Sequence, residues 1–175
     1  GHPGQRVLQP QAWLDIGRRC WLVFGSRLTL ERARVALNDA ERHQRSLSIL
    51  LLDIDHFKSV NDTWGHAGGD VALQRFVSVC ETSLRPNDLL SRFGGEEFAV
   101  LLPEPNPYVA VTIADRVRTA IETTNINHDG ITFRVTASIG ISGIGTDGLD
   151  AAISRADAAL YTAKRAGRNR VELAR

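Results

Sequence analysis

The stretch LSILLLDID at residues 47–55 constrains the fold of this chain more than any other. It is almost entirely apolar, without alternation, and it ends abruptly at two acids, Asp53 and Asp55. A continuous apolar run of this length, bounded by polar residues, is typical of a strand that is covered on both faces. The sequence therefore predicts a central strand with carboxylates at its carboxyl end.

Helices and further strands are predicted on both sides of this strand. Apolar residues at helical spacing predict helices at about 27–45, 70–85 and 108–124, and a last helix from 149 that stops at Gly167. Further strands are predicted as a hairpin at 88–103, as an alternating run near a sheet edge at 131–142, and at 170–173. A glycine pair in the hairpin favours a two-residue turn.

The order of these elements predicts the class of fold. Residues 47–142 follow the order β-α-β-β-α-β, which is that of an α+β, ferredoxin-like core. We expect a mostly antiparallel central sheet flanked by helices, with extra helices at the N- and C-terminal ends. The palm of many nucleotidyl-transferring enzymes has the same order, but a fold alone does not give a function.

Size, charge and cysteine content exclude several classes of protein. The 175 residues, 43% hydrophobic and 23% charged, suit a single globular domain. A net charge of +1 argues against a strongly basic nucleic-acid binder, so no nucleic-acid partner is expected. The longest apolar run is too short for a membrane segment. Cys20 and Cys80 fit neither a zinc site nor a disulfide framework, which favours reduced thiols in the cytoplasm.

The first residues suggest that the sequence is an excised module. It begins GHPGQ and contains no methionine, and its first two residues resemble the scar of a purification tag. Residues 1–26 are therefore expected to combine a tag scar with an atypical N-terminal segment. Residues 27–175 are expected to form the functional domain.

Two acidic segments are candidates for metal binding. Asp53 and Asp55 end the central strand, and Glu96 and Glu97 follow the glycine pair at 94–95. In a β-α-β-β sheet the hairpin strand can pair beside the first strand, so the two segments can converge. Oxygen ligands of this kind suit Mg²⁺, which shares its coordination with substrate phosphates. A single acid at a strand end is more often simply solvated, but the bare glycines beside these acids would let a nucleotide approach the backbone.

Other polar residues have the chemistry to bind a nucleotide. Asn61 and Asp70 could hydrogen-bond the edge of a guanine, although each alone is more often a turn or capping residue. His66 alone would most often be an ordinary loop histidine. Lys164 and Arg168 lie one helical turn apart, on one face of the last helix. They could clamp phosphates or complement the helix dipole.

Two nucleotide-binding motifs are rejected. Residues 143–148 match GxGxxG, and Glu172 follows at a suitable distance, as in a dinucleotide-binding crossover. The preceding strand alternates like an antiparallel one, however, and the chain leaves no room for the remaining strands. A GxxxxGK[ST] loop does not occur in the sequence, which excludes a P-loop enzyme.

Three stretches in the same order resemble the GGDEF family of bacterial diguanylate cyclases. They are DIDHFKSVNDTWGHAGGD, GGEEF and ADAALYTAKRAGRNRV, and the resemblance extends from about residue 27 to 173. It implies that two GTP molecules condense to cyclic di-GMP with release of two pyrophosphates. It also implies Mg²⁺ or Mn²⁺ as cofactor, two ions per active site, and a transient homodimer during catalysis. A separate regulatory domain and a location in the bacterial cytoplasm, within a larger protein, are further implications.

The resemblance also assigns roles to individual residues. The metal would be bound by Asp53, the backbone carbonyl of Ile54, and Glu96. Glu96 would also help to deprotonate the ribose 3′-hydroxyl, with Glu97 supporting the metal or ribose region. The substrate-binding residues would be Asn61 and Asp70 at guanine, His66 at the ribose and base pocket, Phe57 and Lys58 near the phosphates, Lys164 and Arg168 at the triphosphate tail, and Gly94 and Gly95 beneath the nucleotide.

A second site is implied upstream of the GGEEF stretch. Arg85-Pro86-Asn87-Asp88 resembles the RxxD site through which the product inhibits these enzymes, and Arg116 resembles its secondary arginine. An arginine can hold a phosphate or a guanine edge, and an aspartate can accept hydrogen bonds from guanine. By itself, the tetrapeptide is more often a turn after a helix.

The chain departs from the family near its start. Residues 18–27, RRCWLVFGSR, stand where the family has its DxLTGLxNRR wedge, and only the last arginine agrees. This departure puts signal coupling in doubt and leaves a catalytically silent receptor for GTP or cyclic di-GMP as an alternative. A cyclase that makes a mixed purine dinucleotide is another alternative, against which Asp70 favours GTP.

Overall fold

The apolar run at 47–55 forms the middle strand of a five-stranded sheet. The computed structural model of the chain describes residues 27–92 and 95–175. The helices are α1 (Arg27–Arg42), α2 (Phe57–Ser83), α3 (Pro107–Glu122) and α4 (Leu149–Arg165). The strands are β1 (Leu47–Ile54), β2 (Leu89–Arg92), β3 (Glu97–Leu102), β4 (Ile126–His128), β5 (Ile131–Phe133), β6 (Ala137–Ile144) and β7 (Val171–Leu173). The predicted tag scar and atypical segment at 1–26 lie outside the described residues.

The sheet confirms the predicted fold class. Its strand order is β2-β3-β1-β6-β7, and a separate two-stranded sheet pairs β4 with β5. Neighbouring strands of the large sheet are antiparallel, except that β7 runs parallel to β6. The order β2-β3-β1-β6 is that of a ferredoxin-like core with β1 in its centre. Every residue of β1 is buried, as the continuous apolar run predicts.

Helices cover both faces of the sheet. Leu50, Leu52 and Ile54 of β1 pack with residues of α2 and α3. The intervening residues Ile49 and Leu51 pack with residues of α4. Because side chains alternate across a strand, the central strand needs apolar residues at every position to serve both layers. Among the residues that the structure describes, no helix is long and apolar enough to span a membrane.

The pattern of the alternating run at 131–142 predicted one strand near a sheet edge, and this prediction is wrong. The run is divided between β5 and β6, and β6 lies inside the sheet between β1 and β7. Its alternation reflects small residues rather than exposure. A side-chain carbon at Gly140 would lie 2.1 Å from the carbonyl oxygen of Ala156, so α4 packs directly on the strand there. The alternation of large and small residues in β6 therefore resembles the alternation of buried and exposed residues that is typical of an edge strand.

The hairpin differs from the predicted two-residue turn. In its register Arg92 pairs with Phe98, so five residues separate these two positions. A two-residue turn at 94–95 would instead pair Arg92 with Glu97. Glu97 pairs with Asp53 of the central strand, which shows that pairing with β1 extends β3 beyond its contact with β2.

Candidate nucleotide and metal site

The two acidic segments meet at one end of the sheet, as predicted. Asp53 lies opposite Glu97 of β3 on one side and opposite Ser138 of β6 on the other. The backbone N–H of Ile54 donates to the carbonyl oxygen of Glu96 at 3.2 Å. The hairpin acids therefore lie directly beside the end of the central strand, although 42 positions of sequence separate Ile54 from Glu96.

Asp53 carries a buried carboxylate whose pKa is raised. Only 5% of the residue is exposed, and burial raises the pKa of its carboxyl. The neighbouring charges of Glu96 and Glu97 raise the pKa further, whereas contact with the ammonium of Lys164 lowers it. The net shift is upward. Concentrated negative charge at a buried strand end is the kind of environment that a cation stabilises.

Lys164 of α4 forms an ion pair with Asp53 and joins the helix to this acidic cluster. The lysine side chain keeps 32% of its surface exposed. The lysine predicted to hold phosphates and the acid predicted to hold metal thus contact each other. This contact brings the third of the three family-like stretches to the same end of the sheet as the first two.

The donor atoms at this place fit a hard divalent cation. The donors are the carboxylates of Asp53 and Glu96 and the backbone carbonyl of Ile54. All three supply oxygen ligands of the type that Mg²⁺ binds. Within residues 27–92 and 95–175, no three His, Cys, Asp or Glu side chains converge as a complete ligand set. A set that includes one backbone carbonyl and leaves positions for substrate oxygens does not require such a convergence.

Asp55 does not belong to the acidic cluster, although the sequence grouped it with Asp53. Its carboxylate accepts hydrogen bonds from the hydroxyls of Thr136 at 2.7 Å and Ser138 at 2.6 Å. It also accepts one from the backbone N–H of Asn169 at 3.0 Å. The residue is 6% exposed and its oxygens are occupied by neutral donors, so it holds the end of β1 against β6 and the turn after α4.

Helix α2 carries the residues that are predicted to bind the guanine, the ribose and part of the phosphates. Its first turn carries Phe57 and the exposed Lys58, and the helix is broken at Gly65, where φ is 73°. His66 follows the break and is exposed. The glycine-rich part of the stretch is thus helical on both sides of a kink, and the helix begins well before residue 70, where the periodicity placed its start.

The Asn61 amide lies against Gly69, the residue that precedes Asp70. A side-chain carbon at Gly69 would lie 1.9 Å from the amide oxygen of Asn61 and 3.3 Å from the ring of Phe57. The bare backbone of Gly69 therefore gives space to the Asn61 amide, next to the exposed Asp70. A glycine that directly precedes a functional acid indicates such a close approach, and Gly69 is the signal in the sequence for this contact.

The hairpin tip is open on the side of Gly95. No atom lies within 4 Å of the position that a side-chain carbon would take there, and its carbonyl accepts from the Nε of Arg92 at 3.0 Å. Gly94 lies outside the described residues. The exposed backbone at Gly95 agrees with the prediction of a surface without side chains at this tip.

Arg168 is not on the face of α4 that carries Lys164, contrary to the prediction. The helix ends at Arg165, and Gly167, with φ of 119°, closes it as the predicted stop. The backbone N–H of Arg168 returns to the carbonyl of Ala163 at 3.0 Å, as in a Schellman motif. Arg168 therefore lies in a turn beyond the helix, in a left-handed conformation with φ of 63°.

The RxxD tetrapeptide forms a closed turn. The guanidinium of Arg85 donates to the Asp88 carboxylate at 3.1–3.3 Å, and the backbone N–H of Arg85 donates to it at 2.7 Å. The side chain of Asp88 is 0% exposed, so it orients Arg85 instead of facing a ligand directly. Hydrogen bonding to Asp88 is also the main cause of the raised pKa of Arg85.

Glu104, which no sequence pattern indicated, completes this turn. Its carboxylate accepts from Nη1 of Arg85 at 3.0 Å, across 19 positions of sequence. Arg116, the predicted secondary arginine, lies on α3 and donates to the carbonyl of Ser83, the last residue of α2, at 2.7 Å. Only the charge of Glu104, after an apolar strand, could have suggested it.

The chain is similar to known proteins over most of its length. The family described as "Diguanylate cyclase, GGDEF domain" matches residues 23–170. Diguanylate cyclase A of Treponema denticola is 42% identical over 142 residues, which are 79% of this chain and 38% of that protein. Diguanylate cyclase DgcP of Pseudomonas aeruginosa is 43% identical over 138 residues, or 77% of this chain and 21% of that protein. The chain thus spans well under half the length of these relatives.

Solved structures are similar over most of the chain. The GGDEF domain of DgcB from Caulobacter crescentus, in complex with c-di-GMP, gives a TM-score of 0.75 at 34% identity. That match covers 79% of this chain and 84% of that one. The active GGEEF domain of a diguanylate cyclase from Vibrio cholerae gives 0.74 at 29% identity, covering 81% of this chain and 90% of that one.

Proposed function

This chain belongs to the GGDEF family, and from that premise we propose that it is a diguanylate cyclase. In the proposed reaction two GTP molecules condense to cyclic di-GMP and release two pyrophosphates. The observation that carries the proposal is the meeting of Asp53, Glu96 and Lys164 at one end of the sheet. A receptor without catalytic activity has no need for a phosphate-binding lysine in contact with metal-binding acids.

The GTP site is proposed to extend from the kink of α2 to the turn after α4. Asn61 and Asp70 would bind guanine, and the position of the Asn61 amide against Gly69, next to Asp70 in the chain, supports a shared ligand. His66 would line the ribose and base pocket, and Phe57 and Lys58 would lie near the phosphates. Lys164 and Arg168 would hold the triphosphate tail. Gly94 and Gly95 would lie beneath the nucleotide.

The cofactor is proposed to be Mg²⁺, with Mn²⁺ as a substitute and two ions per site. Asp53, Glu96 and the carbonyl of Ile54 would hold it, and when bound it would polarise the phosphate oxygens. Glu96 would accept the proton of the ribose 3′-hydroxyl as that oxygen attacks the α-phosphorus of the second GTP. Glu97 would support the ribose or metal region from the paired position beside Asp53.

Catalysis is proposed to need two chains. The product has twofold symmetry, and one chain has one set of the proposed GTP-binding residues. Each chain would present one GTP, so that two chains facing each other bring each 3′-oxygen to the opposite α-phosphate in a transient, isologous homodimer. Product bound by Arg85 with Arg116, and with Asp88 orienting the arginine, would inhibit this encounter.

The proposed boundaries and setting follow the same resemblance. Residues 27–175 would form the cyclase domain, and a regulatory domain would lie elsewhere in a longer protein. We place its action in the bacterial cytoplasm. Residues 18–26 of the atypical segment lie outside the described residues, so the effect of this segment on signal coupling stays a prediction.

Product analysis tests the proposal. The chain is incubated with GTP and Mg²⁺, and the nucleotides are separated and identified. We expect cyclic di-GMP and pyrophosphate from the unchanged chain, and a loss of at least about a hundredfold in rate for Asp53→Asn and Glu96→Gln. Asp157→Asn and Glu41→Gln, at exposed positions of α4 and α1, are the matched controls. Equal product formation by the site variants would exclude this assignment.

A further inference from the structure

The turn after α4 holds two consecutive residues in an unfavourable backbone conformation. Arg168 has φ of 63° and Asn169 has φ of 45°, both in the left-handed region. Residues other than glycine rarely adopt this region, and asparagine tolerates it better than most. Such conformations persist only where surrounding contacts determine them, and they are concentrated at functional sites.

Contacts from two distant elements fix this turn at Asn169. Its backbone N–H donates to Asp55 at 3.0 Å, and Asp55 is itself held by two hydroxyls of β6 and the segment before it. The amide oxygen of Asn169 accepts from Nη1 of Arg118 on α3 at 2.9 Å. Arg118 is in turn fixed by Asp115 at 2.8 Å and Glu122 at 2.9 Å.

These contacts exceed what closure of a helix requires. The Schellman motif at Gly167 already satisfies the last carbonyls of α4, and hydrogen bonding to β6 begins at the carbonyl of Arg170, which accepts from the N–H of Ile139 at 2.9 Å. The network instead acts on the residue that directly follows Arg168. The side chain of Arg168 is exposed, whereas its backbone is determined on both sides by Ala163 and Asn169.

We infer that Asn169, held by Asp55 and Arg118, is a positioning residue that presents Arg168 to the phosphates of the nucleotide. This inference rests on the proposed GTP site. It also explains why Asp55 accepts hydrogen bonds from uncharged donors, although it lies two residues from the proposed metal ligand Asp53. The same end of β1 carries the metal-binding acid and orients the phosphate-binding turn. The relevant ligand class is a nucleoside triphosphate, because the proposed partner of Arg168 is the triphosphate tail, which a monophosphate lacks.

The test compares two ligands and a pair of substitutions. Dissociation constants of a non-hydrolysable GTP analogue and of GMP are measured by calorimetry, with Mg²⁺, for the unchanged chain and three variants. The variants are Asn169→Ala, Arg168→Ala and the double variant. We expect Asn169→Ala to weaken binding of the analogue about tenfold and to leave GMP binding unchanged. The double variant should bind the analogue as weakly as Arg168→Ala alone, because the asparagine acts through the arginine.

Other results separate failure of the inference from failure of the proposed function. If the unchanged chain does not bind the analogue, the proposed GTP site itself is wrong. If it binds but the two losses add fully in the double variant, or if Asn169→Ala weakens both ligands equally, Asn169 does not act through Arg168. Unfolding midpoints confirm that each variant is folded, and Asn169→Gly, which adopts the left-handed conformation without strain, should bind the analogue better than Asn169→Ala.

Discussion

Replacing Glu104 with glutamine is expected to strengthen binding of cyclic di-GMP to the RxxD turn. Arg85, the residue proposed to hold the product, is already engaged on Nε and Nη2 by Asp88 and on Nη1 by Glu104. A phosphate that approaches this guanidinium must displace or tolerate the Glu104 carboxylate. Glutamine keeps the size and shape of the side chain and removes its negative charge.

The size of the effect follows from the exposure of the pair. The side chain of Arg85 is 37% exposed and that of Glu104 is 14% exposed, so solvent screens the attraction between them. An ion pair of this kind contributes about 0.5–1 kcal/mol. Repulsion between the carboxylate and the phosphates of the product adds a similar amount. Together these give about 1–2 kcal/mol, or roughly a five- to thirtyfold lower dissociation constant.

Calorimetric titration with cyclic di-GMP, in the absence of GTP, measures this directly. Glu41→Gln on the exposed face of α1 is the matched control, since it removes the same charge away from the turn. The difference between Glu104→Gln and the unchanged chain should shrink at high salt. An unchanged or higher dissociation constant for Glu104→Gln would refute the reasoning and indicate that Glu104 orients Arg85 for the ligand.

Two further substitutions test the product site and the packing of the sheet. Arg85→Ala should keep its initial cyclase rate and resist inhibition by added cyclic di-GMP; superimposable inhibition curves would mean that the motif is only a turn. Its free energy of unfolding, measured in urea, should fall by about 1–3 kcal/mol, because the buried Asp88 carboxylate loses its partner. Gly140→Ala should destabilise the chain by about 1–3 kcal/mol or more, since the added carbon would lie 2.1 Å from the carbonyl oxygen of Ala156. Gly143→Ala, where no atom lies within 4 Å, should have little effect in the same unfolding experiment.

The sequence predicted the parts of the fold that depend on strong local patterns. The apolar run of β1 indicated its burial on both faces, and the order of elements was enough to bring Glu96 beside Ile54. The register of the hairpin could not be predicted from its glycines, because pairing of Glu97 with Asp53 overrides the local turn preference. The interior position of β6 was missed because close helix packing selects small residues that resemble an exposed face.

Residues whose roles depend on distant contacts were the hardest to predict. Asp55 and Asp53 are the same residue type two positions apart, yet one accepts from two hydroxyls and the other pairs with Lys164. Nothing in the local sequence distinguishes them. Glu104 and Asn169 were missed for the same reason: their partners, Arg85 and Asp55, lie 19 and 114 positions away.

The dependence of specific activity on chain concentration tests the central claim most directly. If each chain presents one GTP and two chains must meet, cyclic di-GMP formed per chain should rise with concentration over the range in which the chain is mostly monomeric. Sedimentation under the same conditions identifies that range. A constant specific activity in a proven monomer would contradict the requirement for two chains, and absence of cyclic di-GMP at every concentration would contradict the proposed activity itself.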